Sequence, residues 1–289
     1  GQLTGIAEAH LYADEIIYAE TTPYQRLVVT RWRDDLRLFI NNNLQFSSHD
    51  EYRYHEALVH PGLVSLPGAK RVLVLGGGDG LAVREILKYP NVESVTLVDL
   101  DPAMNSLFST APALVALNQG SLNSPKVKVI NADALQWLEE NRDFYDFIVI
   151  DFPDPTNFAL GKLYTSAFYR LLEKRLSARG LLVVQSTSPL YARQSFWCVV
   201  TTLESVGFKT APYHALVPSF GEWGYIIAGR QDFSIPAVNP ENTRFLTSEI
   251  LPGLFQFPAD MARVPAEVNQ LNNQVLVRYF EAEWRKVIR

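Results

Sequence analysis

One cysteine, Cys198, stands in a chain of 289 residues. No intrachain disulfide can form, and a reducing, cytoplasmic setting suits such a chain. Nowhere does an apolar run reach the roughly 20 residues that a membrane-spanning helix needs, and no signal peptide is visible. Positive charge is in short supply, with 26 basic against 31 acidic residues and a net charge of −5. That balance argues against a nucleic-acid partner and suits either a cationic ligand or a plain solvated surface. Repeats and low-complexity tracts are absent. What is present is an ordinary globular composition, 47% hydrophobic and 20% charged, in a chain long enough for more than one structural unit. It starts at Gly1 rather than Met, which reads as a piece of a longer polypeptide.

Residues 11 to 47 read as β structure. "QRLVVTRW" and "LRLFINNNLQF" carry alternating or β-branched residues, and "RDD" and "NNN" supply turn material. They predict a small antiparallel sheet and an amino-terminal β domain over 1–49. "SSHDEYRYHEALVHPGLV" predicts a helix, capped by Ser48 or Asp50, with Pro61 near its end. From residue 70 strands and helices alternate. "RVLVLG", "SVTLVDL", "KVKVINA", "DFIVID" and "GLLVVQS" are the strands; "LAVREILKY", "PAMNSLFS", "ALQWLEEN", "SAFYRLLEKRL" and "RQSFWCVVTTLESV" are the helices. "FKTAPYHALV" and "WGYIIAGR" add an antiparallel edge pair. The fold class is therefore α/β, a seven-stranded Rossmann-like sheet of the methyltransferase type, spanning 50–232. An extension over 233–289 is Pro-punctuated and then, from "PAEVNQ" to "RKVI", has helical spacing.

Chemistry concentrates at strand ends. "LGGGDG" lies between the first parallel strand and its helix, where glycines let backbone approach a ligand. Asp99, about twenty residues on, ends the next strand, the place for an acid on a ribose hydroxyl. Asp79 inside the glycine turn would repel a pyrophosphate, so a cationic nucleoside fits better; capping the following helix is the plainer alternative. Asp133 in "NADAL" could accept from an exocyclic amine or merely cap its helix. Asp151 and Asp154, in "DFPDP", lack a His or Cys cluster and make a poor zinc site, although magnesium is conceivable there. With Asp79 they form an anionic pocket suited to a polyamine. Tyr52 and His55 share a helix face, with Tyr54 to one side; by spacing alone His55 is a packed structural group.

Together these stretches resemble the spermidine synthase family, the polyamine aminopropyltransferases. The matching pieces run in order: "YQRLVV", "LQFSSHDEYRYHEALVHP", "VLVLGGGDG", "VTLVDLD", "NADA", "DFPDP" with "LYTSAFY", and "VPSFGEWGY". The spellings are most similar to the soluble part of bacterial members that often carry an amino-terminal membrane region. The resemblance implies transfer of an aminopropyl group from decarboxylated S-adenosylmethionine to a di- or polyamine, putrescine by default, with methylthioadenosine leaving. The donor is a co-substrate, no resident cofactor or metal is implied, and family members commonly pair as homodimers. Gln25 and Asp99 would hold the ribose side, Gly76 and Gly78 would let the donor approach, and Asp133 with Ala134 and Pro155 would frame the adenine. Asp79 would grip the donor's ammonium, and Asp151 would be the base at the attacking amine. Tyr54, His55, Asp154 and Gln185 would line the acceptor side.

Three departures lie on that acceptor side. Phe220 stands where the family usually has Tyr, Glu222 where Gln is common, and "QSTSP" lacks the glycine and acid common after Gln185. A methyltransferase shares the sheet and the nucleoside site, but its first strand usually carries an acid where Val74 stands. Carboxyaminopropyl transfer from the intact donor would bring a carboxylate against these acids. A non-catalytic polyamine or nucleoside sensor is the rival from outside enzymology.

Overall fold

The computed structural model describes residues 14–240 and 242–288. Residues 11–13 of the expected β segment lie outside them. Strands β1 (Glu15–Thr21), β2 (Arg26–Trp32), β3 (Asp35–Ile40) and β4 (Asn43–Ser47) form one antiparallel sheet in that order. Ile40 faces Asn43 across a two-residue turn, in which Asn41 and Asn42 take φ of 50° and 67°. Asparagine tolerates that left-handed region better than other side chains, which is what "NNN" supplies. In "RDD" the last acid is not turn material. Asp35 opens β3, is buried, and accepts a 2.6 Å hydrogen bond from Ser47 Oγ.

Helix α1 (Glu51–Val64) follows, with Pro61 inside its last turn. Neither expected cap works through its side chain. Asp50 sits at the N-cap position, but its Oδ2 accepts from the distant Ser219 N–H at 2.6 Å. Ser48 Oγ accepts from Leu36 N–H at 2.8 Å.

The larger sheet comprises β5 (Arg71–Gly76), β6 (Ser94–Asp99), β7 (Val127–Asn131), β8 (Tyr145–Asp151), β9 (Leu176–Gln185), β10 (Lys209–Val217) and β11 (Gly221–Gly229). Its order is β10-β11-β9-β8-β5-β6-β7, parallel from β9 to β7 and antiparallel at the β10–β11 edge. The chain leaves β5 toward β6 and β7, then returns to β8 on β5's other side. The order of strands therefore reverses between β5 and β8, and ligands of such sheets bind at that crevice. Helices α2 (Leu81–Ile86), α3 (Pro102–Thr110), α4 (Pro112–Asn118), α5 (Ala134–Glu140), α6 (Phe158–Gly161), α7 (Ser166–Glu173), α8 (Arg193–Ser205) and α9 (Val275–Ile288) complete the fold. Alternate strand residues feed two cores. Val72 and Val74 pack with Leu27, Leu58 and Leu81; Leu73 and Leu75 pack with Leu138, Phe168 and Trp197. Burial on both faces is why these strands read as continuous apolar runs.

Several boundaries differ from expectation. Helix α4 was not anticipated, because Pro112 reads as a breaker while serving as its first residue. Helix α2 stops at Ile86 and not at Tyr89, ahead of Pro90. Helix α7 stops at Glu173, and β9 begins as early as Leu176. In the tail two short 3-10 turns, Leu251–Phe255 and Ala259–Met261, come first, and of the stretch from "PAEVNQ" to "RKVI" only Val275–Ile288 is helical among the described residues. Buried Asn269 holds the preceding segment: its Nδ2 donates to the carbonyls of Gly161 and Tyr164, and its N–H to Thr202 Oγ1. These bonds replace the helical ladder over that stretch.

Candidate active site

The carboxyl ends of β5 and β8 are unusually close. Gly76 pairs with Asp151, and a Cβ on Gly76 would stand 2.5 Å from the Asp151 carbonyl oxygen. Gly76 also takes φ of 77°. Two residues on, Gly78 donates its N–H to Asp99 Oδ2 at 3.0 Å, and a Cβ there would fall 2.5 Å from the same oxygen. Both positions need glycine for close approach, the reason such turns are glycine-rich.

Three carboxylates surround this junction. Asp79 Oδ1 accepts from Leu81 N–H at 2.9 Å, so it caps the start of α2. It also faces His55 and Asp151. Burial pushes its pKa up to about 6; the His55 charge opposes the rise and Asp151 adds to it. Asp151 ends β8 and accepts a 2.5 Å hydrogen bond from Tyr54 Oη. Burial raises its pKa too, against the pull of His55 and Tyr54. Asp154 is pushed up by burial to about 7, with Gln185 Nε2 at 3.4 Å in opposition. Each acid therefore sits where an unpaired charge is costly and an incoming cation would be stabilising.

Helix α1 supplies one wall. Tyr54 reaches Asp151, and its carbonyl accepts from Tyr225 Oη at 3.0 Å. The ring of Tyr54 lies 6.4 Å from Phe220, which lies 5.2 Å from Trp223. His55 is buried and 4.8 Å from the Tyr54 ring, its Nδ1 bonded to Glu51 Oε2 at 2.7 Å. Tyr52, three positions before His55 on the same helix, carries the Arg244 guanidinium over its ring. Gln185 Nε2 donates to Phe152 O and Tyr164 Oη, while its Oε1 accepts from Trp223 Nε1. Pro155 is buried.

At the other end, Asp99 connects to the amino-terminal sheet through Asp101. Asp101 N–H donates to Asp99 Oδ1, and Asp101 Oδ2 accepts from Gln25 Nε2 at 3.0 Å and Thr22 Oγ1 at 2.8 Å. Burial raises the pKa of Asp99. Asp101 is a buried residue that the sequence reading passed over. The Asp-Pro pair announces its capping of α3, but nothing local points to Gln25, 76 positions away.

Asp133 takes the plainer of its two expected roles, and Glu222 stands differently from expectation. Asp133 caps α5 through Gln136 N–H and lies 3.5 Å from Lys162 Nζ, with Ala134 buried behind it. Glu222 turns to His214, its Oε2 lying 2.8 Å from Nδ1. Alternation along β11 puts it on the opposite face from Trp223, so the structure does not bring it to the three aspartates. Among the described residues no group of three or more His, Cys, Asp or Glu has metal-holding geometry.

Sheet order, glycine turn and strand-end acids define a Rossmann-like α/β fold of the methyltransferase type with an anionic pocket at the β5–β8 crevice. The spermine/spermidine synthase domain model matches residues 51–239, and the chain belongs to that family. It is 61% identical over 290 residues to polyamine aminopropyltransferase 2 of Ralstonia nicotianae, covering 100% of this chain and 57% of that protein. The polyamine aminopropyltransferase of Leptospira interrogans is 55% identical over 286 residues, covering 99% of this chain and 57% of that protein. The chain thus spans little more than half the length of these curated relatives. Among solved structures, a spermidine synthase in complex with the transition-state analogue AdoDATO superposes with a TM-score of 0.77 at 26% identity, covering 84% of this chain and 86% of that one. The spermidine synthase from Thermotoga maritima gives 0.76 at 25% identity, covering 84% and 85%. Among the described residues no helix is long and apolar enough to cross a membrane.

Proposed function

We propose that this chain carries the catalytic site of a polyamine aminopropyltransferase. Decarboxylated S-adenosylmethionine supplies the aminopropyl group, a di- or polyamine accepts it, and methylthioadenosine leaves. One observation carries the reading: Asp79, Asp151 and Asp154 lie at the β5–β8 crevice, and among the described residues no lysine or arginine is paired to any of them. Such a pocket is unfavourable empty and is completed by cationic amines.

The roles follow from position. Gln25, Asp99 and Asp101 hold the ribose side, and Gly76 and Gly78 let the nucleoside approach the backbone. Asp133, Ala134 and Pro155 border the adenine. Asp79 binds the donor's ammonium. Asp151 aligns the attacking amine and accepts its proton, and Tyr54 orients the carboxylate. An ammonium of pKa about 10 is a strong mismatch for an ordinary aspartate, so burial that raises Asp151 brings the two closer. The amine nitrogen bonds to the methylene beside sulfur, the C–S bond breaks, and its electron pair stays on sulfur. Since the sulfonium is a good leaving group, alignment supplies much of the rate. Asp154, Gln185 and Phe220 border the far end of the acceptor. No resident cofactor takes part in this scheme.

A carboxylate on the donor would meet these acids, which favours the decarboxylated donor over the intact one. A homodimer, and a cytoplasmic setting within a longer membrane-linked polypeptide, belong to the same reading; the lone thiol of Cys198 supports the reducing compartment. Methylthioadenosine release from the decarboxylated donor, dependent on added amine, tests the proposal. Release of S-adenosylhomocysteine from the intact donor would replace it with methyl transfer.

A further inference from the structure

His55 is one end of a buried row of charges. Glu51 Oε2 lies 2.7 Å from His55 Nδ1, and Arg84 brackets Glu51 with Nη1 to Oε1 at 2.7 Å and Nη2 to Oε2 at 3.0 Å. Arg84 Nε donates to Glu85 Oε2 at 2.8 Å. Glu85 Oε1 accepts from Lys88 Nζ at 2.8 Å and lies 3.0 Å from His60 Nε2. Glu51, His55, His60 and Glu85 are at most 3% exposed and Arg84 is 8% exposed. Apolar side chains of similar volume would stabilise such a region at least as well, so a row like this calls for a purpose beyond packing.

The row ends at the site. His55 faces Glu51 on its own helix, Asp79 from the turn before α2 and Asp151 from the end of β8; the Tyr54 and Tyr225 phenols stand around Asp151. Building on the function proposed above, we propose that Glu51 is a positioning residue: clamped by Arg84, it holds His55 as an imidazolium that keeps Asp79 and Asp151 ionised for a cationic amine. One imidazolium against three aspartates leaves the pocket negative, so amines are still attracted. The electrostatics agree with this geometry. Burial alone would lower the pKa of His55, yet the Glu51 carboxylate holds it above the ordinary histidine value. Burial alone would raise Glu51, yet His55 and Arg84 hold it below the ordinary carboxylate range.

The test is the charge of one ring. Imidazole NMR of the wild-type protein should show His55 titrating above the ordinary value of about 6.5. Glu51→Gln keeps the shape of the side chain and removes its charge. It should drop the His55 titration and move the acid limb of kcat/KM for the amine up by about one pH unit, an about tenfold loss on the wild-type limb that is recovered at higher pH. His55→Gln should move the limb the same way, and adding Glu51→Gln to it should move it no further. Wild-type His55 titrating at or below 6.5, or a Glu51→Gln loss equal at every pH, overturns the proposal. If Glu51→Gln does not fold, the wild-type titration and the His55→Gln limb decide it. The ring titration needs no turnover, so absence of aminopropyl transfer would count against the function and not against the charge of His55.

Discussion

Tyr54 and Asp151 are 97 positions apart, yet the phenol of one donates a 2.5 Å hydrogen bond to the carboxylate of the other. This contact joins the helix that follows the small sheet to the strand end that carries the proposed base. Asp151→Asn keeps the volume of the side chain and removes the proton acceptor. Turnover should fall by about 10²–10⁴-fold, the usual contribution of a positioned base, while donor affinity by calorimetry stays close to wild type. Tyr54→Phe should cost about 10- to 100-fold in kcat, the value of one hydrogen bond to a charged group. Unchanged turnover in Asp151→Asn would remove that residue from the mechanism.

The raised acids set a pH dependence. Asp154 titrates at about 7 and Asp79 at about 6 in the folded protein, and each must be ionised to receive a cation. The kcat/KM for the amine should therefore fall as pH drops through about 7 and again through about 6. A profile flat from pH 5 to 8 would contradict these environments.

Stability should run the other way. A carboxyl whose folded pKa lies above its unfolded value binds the proton more tightly when folded, so its contribution favours folding at low pH. It is lost as pH rises from about 4, the unfolded value, through the folded values near 6 and 7. Asp154→Asn should therefore melt above wild type at pH 8 and match it near pH 4, in the absence of substrate. A thermal melting series across pH checks the sign.

Glycine at position 76 is required by both its φ of 77° and the Asp151 carbonyl beside it. Gly76→Ala should destabilise the fold by more than the roughly 1–2 kcal/mol of a left-handed residue alone, and should lower donor affinity as the β5–β8 junction shifts. Chemical denaturation and donor titration measure the two effects separately.

Much of this site was readable from residue order because its parts lie at strand ends. "RVLVLG" and "DFIVID" are buried on both faces, and their apolar runs stop where Gly76 and Asp151 begin the crevice. Pairings across long separations were not readable. Nothing near Gln25 reveals Asp101, and nothing near Tyr54 reveals Asp151. Glu222 shows the reverse problem. The family resemblance of "VPSFGEWGY" puts it on the acceptor side, but strand alternation turns it to His214. The tail before Val275 has helical spacing yet is held by the side chain of Asn269, and hydrophobic periodicity does not register such a bond.

The most direct measurement is mass-spectrometric identification of the products when the purified protein meets decarboxylated or intact S-adenosylmethionine with putrescine, cadaverine, diaminopropane, agmatine or spermidine. The account predicts methylthioadenosine and one aminopropylated amine, from the decarboxylated donor only. Donor binding without any transferred group would contradict it and leave a binding domain in its place.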